Sequence, residues 1–111
     1  MTKYEIEAKT VEYLKTVFDP EIPVNVWDLG MIYKIDVHDT AEPTDNKTFD
    51  IDIDMTFTAP NCPAADFILE DIQQKLESIA DVKTVNVNVV FEPEWNKDMM
   101  SEEAKLDLGF M

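Results

Sequence analysis

Between Phe49 and Phe57 the chain alternates without a break. Phe49, Ile51, Ile53, Met55 and Phe57 are apolar, and Asp50, Asp52, Asp54 and Thr56 stand between them. Successive side chains of a strand point to opposite faces, so this segment reads as a strand with one face in a core and one in water. A strand of that kind needs its apolar face covered and its acidic face left open. It therefore confines the chain to folds in which helices pack on one side of a sheet.

The flanking segments supply the remaining elements. Thr2 and Glu5 have capping-box spacing, and Val11, Leu14 and Phe18 recur at helical spacing behind them. Pro20 and Pro23 end that helix and hold the next residues extended. A first strand is expected from about Trp27 to His38, with Met31, Tyr33, Ile35 and Val37 on one face and Lys34, Asp36 and His38 on the other. Residues 39–48, DTAEPTDNKT, read as a polar loop or long hairpin connection. After the alternating strand, Pro63 suits a first helical position, which makes Cys62 the expected N-cap. Ala65, Ile68, Ile72, Leu76 and Ile79 form the apolar stripe of that helix. A third strand is expected over about Thr84–Phe91, with Val85, Val87, Val89 and Phe91 facing inward, and Ser101 caps a last short helix. The order is helix, strand, strand, helix, strand, helix in one domain over residues 1–111. This is an α+β fold, a two-layer α/β sandwich on a small mixed three-stranded sheet.

Composition removes several functions. Gly30 and Gly109 are the two glycines, too far apart for a phosphate-cradling loop. One cysteine allows no intrachain disulfide, and one histidine with one cysteine leaves a four-ligand zinc site dependent on carboxylates. All nine positive residues are lysines and the net charge is −15, a balance that repels nucleic acid and anionic membranes. No apolar stretch approaches the ~20 residues of a membrane span, and no signal-like segment opens the chain. A cytoplasmic protein is expected.

Topology locates the unusual residues. Strands one and two should form an antiparallel hairpin. The helix after strand two returns the chain, so strand three should run parallel to strand two, its place in the sheet left open. Residues 19–30, 58–63 and 92–95 then meet at one edge, carrying Cys62, Trp27, Trp95, Asp19, Glu21 and Asp28. A thiol at a helix N-terminus is stabilised as thiolate, the form that binds metal or attacks electrophiles; a free cysteine also serves as a small buried hydrophobe. His38 falls at the far end of strand one, about eight residues and roughly 26 Å from Cys62, too far for a Cys–His dyad. Asp50, Asp52 and Asp54 are about 6–7 Å apart along their strand, a spacing that suits a solvated face and does not converge on one ion. Trp27 and Trp95 are either interface anchors or covers of the core edge. Met99, Met100 and Met111 add a soft surface near the C-terminus.

Three motifs carry a resemblance. FDPEIPVNVWDLGMIY (18–33), MTFTAPNCP (55–63) and EPEWNKDMMSEEAKLDLGF (92–110) resemble the SufT/PaaD-like iron–sulfur cluster assembly proteins, in order and over nearly the whole chain. The resemblance implies a small α/β domain that acts in maturing iron–sulfur proteins. By position it makes Cys62 the key cysteine, with Thr56, Thr58 and Pro63 around it. It makes Asp19, Pro20 and Glu21 the acidic opening motif, and Asp28, Leu29 and Gly30 the next signature. Members tied to phenylacetate degradation can carry a further cysteine-rich C-terminal segment; Met111 follows LGF here, so the general assembly role is expected. One cysteine cannot hold a cluster that takes about four thiolates. Cys62 would thus be a single ligand to a transient iron–sulfur cluster or iron, none being held tightly by a monomer. The implied partners are cluster carriers or scaffolds, apo-protein clients and a second copy in a homodimer. Two other functions fit the residues: an acidic interaction adaptor with a structural Cys62, and a thiol-dependent enzyme that lacks any visible base or resolving cysteine.

Overall fold

The alternating segment is the central strand of the sheet. In the computed structural model, which describes residues 2–20, 22–44, 47–58 and 63–109, the chain runs α1 (Lys3–Leu14), β1 (Phe18–Asp19), β2 (Ile22–Asn25), β3 (Ile32–Thr44), β4 (Lys47–Met55), α2 (Ala65–Glu77), β5 (Asp81–Val89), a 3₁₀ turn (Lys97–Met99) and α3 (Glu102–Asp107). The three-stranded sheet has the order β3-β4-β5. β4 pairs antiparallel with β3 and parallel with β5, as a crossover through α2 requires. Strand three thus pairs with strand two, the point that the sequence left open.

One face of this sheet is the core. Ile51, Ile53, Met55, Val37 and Val85 are buried there with Ile6 and Leu14 of α1 and Ile68, Ile72 and Leu76 of α2. The opposite face carries Lys34, Asp36 and His38 on β3, Asp50, Asp52 and Asp54 on β4, and Thr84, Asn86 and Asn88 on β5, in facing rows. The expected α+β architecture is therefore the one observed. Thr2 closes the expected capping box with Glu5. The Thr2 N–H, and secondarily its hydroxyl, hold the Glu5 carboxyl below the usual carboxylate range.

Boundaries differ from the pattern for physical reasons. The first strand starts at Ile32, five residues after Trp27, because residues 26–30 close a hydrogen-bonded turn instead. Ahead of it, β1 and β2 form a small separate ladder, Phe18 opposite Asn25 and Asp19 opposite Ile22. The prolines fit that short ladder, Pro20 in its turn and Pro23 exposed on β2, where a missing N–H costs least. Phe18 is consequently 51% exposed on β1 rather than the last apolar residue of α1. The stretch 39–48 is the hairpin connection rather than a loose loop over its described residues: β3 runs to Thr44, β4 starts at Lys47, and these two residues are register partners. Cross-strand pairing outweighs composition there, and Lys83 of β5 donates to the Glu42 carbonyl. β5 starts three residues before Thr84 and ends at Val89, so Val89 and Phe91 are exposed rather than inward. α2 begins at Ala65 with Ala64 as its N-cap, so the helix does not start at Pro63 and Cys62 is not its N-cap.

Candidate functional site

The 26–30 turn is held by its own side chains. Asn25 Oδ1 accepts from the Asp28 N–H at 2.9 Å, and Asn25 Nδ2 donates to Asp28 Oδ2 at 2.7 Å. This side-chain clasp folds the backbone so that Leu29 N–H reaches the Asn25 carbonyl and Met31 N–H the Val26 carbonyl. Leu29 is buried, and Gly30 takes φ +77°, a conformation that L side chains rarely adopt.

The C-terminal segment is strapped over this turn. Trp95 Nε1–H donates to the Leu29 carbonyl at 2.7 Å, and Ser101 N–H donates to the Asp28 carbonyl at 2.8 Å. The Met99 backbone passes so close to Gly30 that a Cβ there would lie 2.6 Å from the Met99 carbonyl carbon. Tyr33 Oη–H donates to the Pro93 carbonyl at 2.7 Å. The signature Asp28-Leu29-Gly30 is thus an anchor: two of its carbonyls and its missing side chain receive the strap. Asn25, Tyr33 and Met99 complete that anchor and were not among the expected site residues. An Asn three residues before an Asp was the available sign for the first of them.

Two cavities flank the strap. One, of about 360 Å³, is lined by Ile22, Pro23, Leu29, Trp95, Lys97, Met100 and Leu108. The other, of about 140 Å³, is lined by Thr56, Phe57, Thr58, Phe91, Glu92, Glu94 and Trp95. Trp95 lines both. Of the segments 19–30, 58–63 and 92–95 expected to meet, residues 22–29, Thr58 and 92–95 do so among the described residues, tied further by the Thr56 N–H bond to the Met31 carbonyl; residues 59–62 lie outside them.

The remaining expected residues fall as follows. Asp19 is buried in β1 and makes a partnered interaction, as a buried carboxylate must. Pro20 and Pro63 are exposed, Thr56 is buried and Thr58 half-buried. Cys62 and Glu21 lie outside the described residues, Cys62 in the segment between Thr58 and Pro63. Trp27 is half-buried beside Ile32 and Ile35. Met100 is buried and Met99 half-buried under the strap, so they are packing rather than soft surface; Met111 lies outside the described residues. His38 is not at the end of its strand but inside β3, opposite Asp50, with the strand continuing to Thr44. Among the described residues no helix is long and apolar enough to cross a membrane.

Known proteins are similar to this chain in sequence and in fold. The family model described as iron–sulfur cluster assembly protein matches residues 7–89. A relative from Porphyromonas gingivalis, an Fe-S protein maturation auxiliary factor, is 56% identical over 107 residues, covering 96% of this chain and 94% of that one. A second from Staphylococcus aureus, the Fe-S protein maturation auxiliary factor SufT, is 37% identical over 84% of this chain and 97% of its own length. The crystal structure of a domain of unknown function from Bacillus anthracis superposes with a TM-score of 0.79 at 34% identity, covering 98% of this chain and 96% of that one.

Proposed function

This chain belongs to the iron–sulfur cluster assembly protein family, and from that premise we propose that it is a non-enzymatic factor that helps deliver clusters to iron–sulfur proteins, with Cys62 as its key thiol. The observation that carries the reading is the edge where the 26–30 turn, the end of β4 and the strap meet. The chain passes from Thr58 on that edge directly into the segment that contains its one cysteine. A single thiolate cannot satisfy the roughly four thiolate positions of a cluster. It can be one ligand beside a carrier's own, or beside those of a second copy. The iron–sulfur cluster is then cargo, and the carrier and the apo-client are the partners. With no second cysteine to resolve a disulfide, redox turnover on this chain alone has no second half. The site of action on this reading is the cytoplasm.

The test uses purified components: a cluster-loaded scaffold protein and apo-aconitase from the source organism, with and without this protein. We expect activation of aconitase to accelerate severalfold when the protein is present at stoichiometric amounts. An unchanged rate over a range of concentrations would count against delivery.

A further inference from the structure

We propose that Asp36, His38 and Asp52 form a binding site for one divalent transition-metal ion on the open face of the sheet, separate from the Cys62 edge. Along one strand the acids of this face stand too far apart to share an ion, but pairing across strands changes the geometry. Asp36 and Asp52 are register partners on β3 and β4, and His38 is the next residue on the same face of β3. His38 Nδ1 lies 3.3 Å from Asp36 Oδ2 and 3.6 Å from Asp52 Oδ2, and one donor atom from each of the three falls within 4.8 Å of the others. Two ligands on a tetrahedral ion with bonds of about 2.0–2.1 Å are themselves roughly 3.3–3.4 Å apart. The nitrogen is thus close to that separation from each oxygen, and the two oxygens, within 4.8 Å of each other, need a small side-chain rotation to reach it.

Charge points the same way. Two carboxylates directly opposite each other in a ladder repel, and here both lie against one imidazole. The neighbouring row is served differently: Asp54 accepts from Asn88 Nδ2 at 3.2 Å. Directly opposite His38, Asp50 has its Oδ1 buried with no hydrogen-bond partner among the described residues. A cation at the centre of this cluster relieves the Asp36–Asp52 repulsion and supplies positive charge next to Asp50. One imidazole with two carboxylates suits zinc, cobalt or iron(II) rather than calcium, which takes six or more oxygens. Three protein ligands leave at least one position for water or for a group on a partner.

Cobalt(II) and zinc(II) salts alone are the probes, titrated into the full chain carrying Cys62→Ser so that the thiol takes no part. We expect one equivalent to bind, with visible cobalt absorption of low-symmetry coordination and a raised melting temperature. His38→Gln and Asp52→Asn should each weaken binding at least tenfold. Asp36→Asn removes a repulsion, so it should fold at least as well as the parent without metal yet lose the metal-dependent rise. Equal binding by parent and all three variants would overturn the site and leave only diffuse attraction to the −15 charge. So would absence of a one-equivalent phase, which would leave His38 as a hydrogen-bonding neighbour of two acids.

Discussion

Gly30→Ala should destabilise the protein by about 2–5 kcal/mol. Two effects act together. An L side chain at φ +77° costs about 1–2 kcal/mol. Forcing backbone apart in a packed region adds about 1–3 kcal/mol, and here the obstacle is the Met99 carbonyl group rather than the tip of a flexible side chain. The Met99 backbone can yield only by lifting the strap, which strains the Trp95–Leu29 and Ser101–Asp28 bonds. For a domain of this size the melting temperature should fall by roughly 10–30 °C. Gly109→Ala is the control. Gly109 has the same φ, but among the described residues nothing lies within 4 Å of an added Cβ, so it should show the conformational cost alone. Chemical denaturation of both variants separates the two terms; equal losses would mean that close approach at Gly30 contributes nothing.

Trp95→Ala should cost roughly 2–4 kcal/mol, below the full-burial range because the indole is only half-buried. The loss has a local signature. Trp95 lines both cavities and donates to the Leu29 carbonyl, so its removal enlarges them and frees the strap. Amide hydrogen exchange at Ser101, whose N–H bonds Asp28, should rise by much more than exchange in β4. Trp95→Phe keeps a six-membered aromatic ring but loses the pyrrole half with its N–H, and should cost about 1–2 kcal/mol for the unpaired carbonyl alone. If Ser101 exchanged as slowly in Trp95→Ala as in the wild type, the strap would be held by other contacts.

The sheet was readable because its central strand writes both faces in full. Ile51 and Ile53 against Asp50 and Asp52 leave no alternative period, and α2 repeats the same clarity at helical spacing with Ile68, Ile72 and Leu76. Connectivity alone then brings residues 22–29, Thr58 and 92–95 to one edge, where the structure has them. What sequence could not supply was pairing across strands. The polar 39–44 segment is a strand only because β4 lies beside it, and a turn-rich composition hides that. Likewise, Asp52 looked isolated from other ligands along β4, while its true neighbours are Asp36 and His38 on β3. The strap was hidden for a similar reason. Nothing local in EPEWNKDMM says that Trp95 and Met99 will dock on a turn some 65 residues earlier. Gly30 was legible as a signature by resemblance, and its physical cause appeared only with the Met99 backbone beside it.

The most direct test of the account is restoration of an iron–sulfur enzyme in cells lacking the gene, grown under iron limitation, with aconitase activity as the readout. Three versions are compared at equal, verified protein levels: wild type, Cys62→Ser, and Asp50→Asn with Asp54→Asn. The wild type and the acidic-face variant should restore activity, and Cys62→Ser should leave it near the level of the deletion. Full restoration by Cys62→Ser together with failure of the acidic-face variant would contradict the account, and would make the chain an adaptor that works through its open sheet face with a structural cysteine.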